Sequence, residues 1–130
     1  MREYKFKGFS KSKNAWIIGF GAKEIRTKEG NITILCTNKG YEQVYPNSVG
    51  QYTGRKDING QDIYERDLVR LDIDSMSDLK LISPSITPDG VFYGEVKFYD
   101  GSFYIDNGTE GCLLFQEINQ IEIVGSSFII

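Results

Sequence analysis

Three carboxylates in the middle of the sequence, Asp62, Glu65 and Asp67, are the side chains best placed to direct chemistry. Carboxylate oxygens suit Mg²⁺, so a magnesium-dependent enzyme is one hypothesis. The alternative, which we favour, is structural: Asp67 caps backbone N–H groups where a strand begins. Because no complete ligand pattern accompanies these residues, we expect no metal and no cofactor.

The residues needed for other kinds of catalysis are missing or misplaced. The sequence contains no histidine, which excludes Ser/His/Asp and Cys/His nucleophile systems and most zinc geometries. Cys36 and Cys112 lie in apolar, strand-like segments, where we expect buried free thiols. Gly19 and Gly21 follow an apolar run, but Glu24 occupies the third glycine position of a dinucleotide fingerprint, so a tight strand bend is favoured. We therefore expect a protein that is not an enzyme.

The N-terminal segment is basic and interleaved with aromatic residues, a pattern that suits nucleic acid. Strand alternation predicts that these aromatic rings face inward and the lysines outward. Residues 1–30 carry a net charge of +5 and residues 31–130 a net charge of −8. This polarity could steer an acidic partner to the N-terminal segment, or join the basic end of one copy to the acidic surface of another, but a solvated face without a partner is the interpretation we favour. The candidate nucleic-acid contacts are Arg2, Lys5, Lys7, Lys11 and Lys13.

Short β-branched or aromatic segments separated by turn residues dominate the chain, and no window keeps helical periodicity over ten or more residues. We therefore predict a mainly β fold in which short antiparallel strands form curled sheets. The predicted strands are 4–8, 15–20, 31–36, 41–45, 68–73, 91–99, 102–106, 112–115 and 120–124.

The clearest hairpin is EVKFYDGSFYID, residues 95–106, with a type I′ turn at Asp100 and Gly101. This register pairs Phe98 with Phe103 and Val96 with Ile105, and predicts that all four are buried on one face. The same alternation places Lys97, Tyr99 and Tyr104 on the outer face, which is the candidate interaction surface because exposed tyrosines concentrate at interfaces.

The stretch QYTGRKDINGQDIYERDLV, residues 51–69, resembles the signature of the YopX family of small phage and prophage proteins. In that family the run usually reads like QYTGLKDKNGKxIYEGDIV, preceded by a V-x-P-x-[ST]-V-G step that matches residues 44–50 here. Arg66 stands where the family usually has Gly, and because Arg is uncommon at positive φ, this departure weakens any claim that the signature needs a special backbone there for chemistry. The signature positions are Gly50, Gln51, Tyr52, Thr53, Gly54, Asp57, Asn59, Gly60, Ile63, Tyr64, Glu65 and Asp67.

The strand that begins at residues 67–69, at the end of the signature, and the later hairpin over residues 94–103 are similar to the opening strands of SH3-like barrels. They predict a small SH3-like barrel in the C-terminal half. We expect an N-terminal β module over residues 1–50 and the signature with the barrel over residues 51–130, sharing one compact unit. Residues 74–90 form an unusually long connection, expected to pack on the barrel, with a mobile or partner-binding loop as the alternative.

The family resemblance carries no established biochemical activity. We predict a phage- or prophage-encoded, non-enzymatic module that acts by protein interaction or regulation, with a protein partner or self-association. A nucleic-acid-binding regulator acting through the basic segment is the second hypothesis, and the magnesium-dependent enzyme is the third. No apolar run approaches the length of a membrane span, and the charged N-terminus lacks a signal peptide, so we expect no membrane partner and residence in the cytoplasm of a bacterial host.

Overall fold

The computed structural model describes residues 4–73, 91–109, 111–113 and 119–128, so Arg2 and the connection 74–90 lie outside it. The mainly β prediction is confirmed, because the helical part of the described chain is one 3₁₀ turn at Pro46–Ser48. The strands of the described residues are β1 (Phe6–Ser10), β2 (Ala15–Gly19), β3 (Gly21–Thr27), β4 (Gly30–Thr37), β5 (Gly40–Val44), β6 (Gly50–Lys56), β7 (Asp62–Tyr64), β8 (Asp67–Ile73), β9 (Val91–Tyr99), β10 (Ser102–Asp106), β11 (Gly111–Leu113) and β12 (Asn119–Ser126).

The chain divides into two compact units, residues 1–54 and 55–130. In the first unit, β4 pairs with both β3 and β5, while β1 pairs with β2 and β6 and joins β5 at one position, all antiparallel. Leu35 and Val44 are fully buried. A bend at Phe20 separates β2 from β3, which confirms the tight turn predicted there. Cys36 is half-buried and has no disulfide partner among the described residues.

The second unit contains a five-stranded antiparallel sheet in the order β11-β10-β9-β8-β12. One face of this sheet packs on a core built from alternate residues of β8, β9, β10 and β12, as period-2 alternation requires. Among the described pairings β11 and β12 lie at opposite ends of the order, and the described residues show no pairing that closes the sheet into an SH3-like barrel. The core residues are Ile63, Val69, Leu71, Phe92, Val96, Phe103, Ile105 and Ile121.

The β9–β10 hairpin has the predicted register, with Phe98 opposite Phe103 and Val96 opposite Ile105. Asp100 and Gly101 have φ values of 51° and 83°, the positive values that a type I′ turn requires. The prediction that Phe98 is buried is wrong, because its side chain is 46% exposed. Phe98 is the last residue of this face before the turn. Its ring contacts that of Phe103 edge-on, with 4.9 Å between the ring centres, and the rest of the Phe98 ring lies in solvent.

Candidate interaction surface

Lys97, Tyr99 and Tyr104, which we call the hairpin outer face, lie together on the side of β9 and β10 that faces away from the core. Lys97 is directly opposite Tyr104, and Tyr99 is opposite Ser102. Tyr99 is 74% exposed and Lys97 is exposed, whereas Tyr104 is half-buried. The Lys97 Nζ lies 3.5 Å from Asp106 Oδ2 on the neighbouring strand. The structure therefore brings the three predicted residues into one solvent-facing surface.

This surface borders a groove of about 550 Å³, which is also lined by Phe98, Asp106, Gly108 and Thr109. A second depression of about 470 Å³ shares Lys97, Asp106 and Gly108 with the first and extends toward Leu68, Tyr93 and Val124. Neither Tyr93 nor Val124 was singled out from the sequence, although Tyr93 alternates with Glu95, Lys97 and Tyr99 along β9. The outer side of the sheet thus offers aromatic rings, aliphatic carbons and charges of both signs.

Arg70 on β8 adds a further charge to the outer side of the sheet, next to Tyr93 on β9. Its guanidinium lies 2.9 Å from Asp72 Oδ2, and its Cα pairs with that of Tyr93 on β9. A hydrogen bond with Tyr93, followed by the nearby charge of Asp72, raises the pKa of Arg70 above its ordinary value. Since arginine is charged at all physiological pH values, this shift does not change the protonation of Arg70.

The first half of the family signature forms a turn organised by Asp57, whose side chain is nearly buried. Asp57 Oδ1 accepts hydrogen bonds from the backbone N–H groups of Asn59 and Gln61, both at 2.9 Å. Its Oδ2 accepts the N–H of Ile123 on β12 at 3.1 Å, and the N–H of Ile58 donates to the Ile121 carbonyl on the same strand. One carboxylate therefore shapes the turn and caps the outer edge of β12.

The second half of the signature forms another turn, between β7 and β8. Asp67 is buried, and its Oδ2 accepts the Tyr64 N–H at 2.8 Å, which agrees with the capping role predicted from the sequence. Arg66 has φ of 78°, so this position has the positive-φ backbone that glycine adopts readily, even though an arginine occupies it. The strained residue is held on both sides, because its N–H donates to the Val96 carbonyl and its carbonyl accepts the Ser127 N–H.

The three carboxylates of the magnesium hypothesis have different surroundings. Asp62 forms an ion pair with Lys56 at 2.6 Å, while Asp67 holds the Tyr64 amide and Glu65 lies on the turn between them. Within the described ranges no group of three or more Asp, Glu, Cys or His residues is arranged to hold a metal ion. The structure does not bring these residues together as a ligand set.

The lysines of the basic segment lie over aromatic rings or beside an acid. The Nζ atoms of Lys5, Lys7 and Lys11 lie 4.5, 4.6 and 5.1 Å from the ring centres of Tyr52, Trp16 and Tyr45, respectively. Such cation–π contacts stabilise by about 0.5–1 kcal/mol at exposed sites.

Lys13 is bound to an acid instead, since its Nζ lies 3.1 Å from Glu42 Oε1. Hydrogen bonds from Lys13 and then from Ser12 lower the pKa of Glu42. Lys13 therefore forms an ion pair with an acid on β5.

The predicted separation of aromatic rings from lysines in this segment is wrong. Phe6, Gly8 and Ser10 share one face of β1, and Phe9 lies on the opposite face with Lys7. Phe9 is directly opposite Trp16, and the two rings pack edge to face with 5.3 Å between their centres. Trp16 and Ile18 were not proposed as site residues, although their alternation in β2 and the Ser12–Asn14 turn before it were visible in the sequence.

These two units, built from antiparallel strands with exposed aromatic residues on their sheets, define a small all-β protein. The family model described as YopX protein matches residues 5–128, and the chain belongs to that family. No curated protein matches the sequence significantly. The part of the chain that the structure describes contains no helix long and apolar enough to cross a membrane.

Proposed function

We propose that this protein is a non-enzymatic interaction module, encoded by a phage or prophage, whose hairpin outer face recognises a protein partner in the cytoplasm of the bacterial host. The observation that carries the proposal is the exposure of Tyr99 next to Lys97 and Tyr104 at the edge of one groove. A tyrosine presents a large contact area and a hydroxyl while losing few rotamers on binding, which is why tyrosine is enriched among binding hot spots.

The hairpin beneath this surface supports recognition because it is already ordered. Val96, Phe103 and Ile105 are buried under it, and the type I′ turn fixes the register of the two strands. Binding of a partner therefore costs little backbone entropy, and more of the contact energy contributes to affinity. The Lys97–Asp106 pair at the rim supplies both signs of charge, which favours a partner with polar groups around an apolar centre.

The test compares the double variant Tyr99→Ala/Tyr104→Ala with Tyr41→Ala as a matched control. Tyr41 lies on β5 of the first unit and is 76% exposed, nearly the same as Tyr99. Pull-down from host cells identifies bound proteins, and sedimentation of the purified protein and the identified partner measures association. We expect the double variant to lose association and to keep its thermal stability, whereas the control keeps both.

A photo-crosslinking residue at position 99 should label the partner, and the same residue at position 41 should not. If the double variant still binds, or if it unfolds at a much lower temperature while association persists, the tyrosines are part of the fold and the proposal is wrong. If the labelled protein is a second copy of this chain, the interaction is self-association through the same face.

A further inference from the structure

A row of aromatic rings with a lysine at each end crosses one face of the first unit. We call Lys7, Phe9, Lys11, Trp16, Ile18 and Tyr45 the aromatic–lysine face. The ammonium of Lys7 lies over the Trp16 ring, and the Trp16 ring contacts that of Phe9. The ring centres of Phe9 and Tyr45 are 6.3 Å apart, and the ammonium of Lys11 lies over the Tyr45 ring. Ile18 is opposite Lys7 on β2 and continues the apolar surface.

This face is open to solvent, and its unit is cationic. Trp16 is 40% exposed and Ile18 is 52% exposed, and Lys11 is also exposed. Residues 1–54 contain nine Lys or Arg against four Glu, a net charge of +5, while residues 55–130 contain six against fourteen, a net charge of −8. The exposed Trp16 ring and the half-buried rings of Phe9 and Tyr45 therefore lie on the cationic unit of an otherwise acidic protein, which favours a ligand that is both anionic and flat.

We propose that the aromatic–lysine face binds single-stranded nucleic acid, with bases on Trp16 and the accessible parts of the neighbouring rings, and phosphates on Lys7 and Lys11. Every base has a π face, so stacking on Trp16 and its neighbours does not require a particular sequence. A duplex keeps its bases stacked on one another and cannot offer them to the rings, so the face selects single strands. Lys13 is not part of this face, and its ammonium forms an ion pair with Glu42.

The cation–π contacts do not prevent phosphate binding. Each contributes only about 0.5–1 kcal/mol at an exposed site, and a lysine side chain can move its ammonium from a ring to a phosphate. Counterions released from the nucleic acid then favour the exchange at low salt. Movement of Lys7 off Trp16 also leaves the indole face available for a base.

Trp16 is the single tryptophan of the sequence, so intrinsic fluorescence reports on this face directly. The ligand for the test is an oligothymidine of about twelve nucleotides, within the range of known single-strand sites. We expect saturable quenching of Trp16 at low salt, and a labelled copy of the same oligomer should give the same affinity by anisotropy. Affinity should fall as salt increases.

Two pairs of variants separate the specific site from the general charge of the unit. Lys7→Gln/Lys11→Gln should reduce the slope of log affinity against log salt by about 1.4, since each phosphate contact on a single strand contributes about 0.7. Lys23→Gln/Lys28→Gln removes the same charge from exposed positions on and after β3, and should leave the slope unchanged. Trp16→Ala should weaken binding by about five- to one-hundred-fold, whereas Trp16→Phe, which retains a ring, should lose much less.

Equal affinity for a duplex of the same length would overturn the proposal. Equal quenching by polyglutamate would also overturn it and would identify an acidic polypeptide, or the acidic unit of a second copy, as the ligand. No binding at low salt is a third contradicting result. The Tyr99→Ala/Tyr104→Ala variant should bind the oligomer normally, so this proposal and the protein-interaction proposal fail independently.

Discussion

Removal of the Asp57 carboxylate should destabilise the second unit by about 2–6 kcal/mol, and the hydrogen bonds of this carboxylate show where the value comes from. Asn59 and Gln61 lie on an exposed turn, so water can replace their bonds and each loss should cost about 0.5–1.5 kcal/mol. The N–H of Ile123, on a half-buried residue of β12, would lose its acceptor at a cost of about 1–3 kcal/mol. Asp57→Ala removes all three bonds.

Asp57→Asn separates these contributions. Its Oδ1 can still accept the two turn amides, but an NH₂ group then faces the N–H of Ile123, so this variant should lose only the long-range bond. We expect a cost smaller than that of Asp57→Ala by about 1–3 kcal/mol, the contribution of the two turn bonds. Asp62→Ala is the matched control, because Asp62 lies in the same hairpin and its carboxylate forms a surface ion pair with Lys56, an interaction that contributes about 0–1 kcal/mol.

The measurement is urea unfolding combined with native-state hydrogen exchange of the β8 and β12 amides. Exchange gives the opening free energy of the second unit even if the two units do not unfold together. The amide of Ile123 should exchange faster in both Asp57 variants and at the wild-type rate in Asp62→Ala. If Asp57→Ala costs no more than the Asp62 control, or if Asp57→Asn leaves the Ile123 amide protected, the carboxylate does not hold β12 and this reasoning is refuted.

Three further predictions concern other residues. Phe98→Ala should cost about 1–2 kcal/mol in urea unfolding and Phe103→Ala about 3–5 kcal/mol, because only the second ring is fully enclosed, and equal costs would contradict the exposure difference. Arg66→Gly should be about 1 kcal/mol more stable than Arg66→Ala, because only glycine adopts φ of 78° without strain, and the reverse order would show that the turn rearranges. By NMR titration the pKa of Glu42 should lie below its ordinary value of 4.5, and in Lys13→Gln this pKa should return toward that value. The stabilisation from this lowered pKa is present above pH 4.5 and is lost as pH falls through the folded value, so an unchanged pKa in Lys13→Gln would contradict the assigned cause.

Strands with a clear apolar period and a defined turn could be predicted from sequence, whereas strands with neither could not. The register of the β9–β10 hairpin followed from alternation around Asp100 and Gly101. β3 was missed because Lys23, Glu24 and Arg26 make it polar on an exposed edge, and charged edge strands are stabilised by their neighbour rather than by their own pattern. β7 has only three residues, and Ile63 at its centre is buried by contacts distant in sequence.

The candidate surfaces were predictable to different degrees. Alternation alone placed Lys97, Tyr99 and Tyr104 on one outer face, but it did not show that Asp106 would pair with Lys97 across the hairpin. In the first unit the basic residues were found by composition, and their ring partners were not. Lys11 meets Tyr45 through the pairing of distant segments, which a local pattern does not encode.

The roles of the signature residues explain why family membership does not define a ligand for this protein. Asp57 and Asp67 are buried acceptors for backbone N–H groups, and Arg66 occupies a turn position where glycine fits better. A chain that folds in this way needs these residue types whatever it binds, because replacing them leaves buried amides without acceptors or strains the backbone. The hairpin outer face and the aromatic–lysine face both consist of residues whose loss leaves the core intact, apart from the partly enclosed rings of Phe9 and Tyr45. Selection for a particular partner can therefore change Tyr99 or Trp16 while the signature stays the same, and the function of this protein is best sought in variants of those two faces.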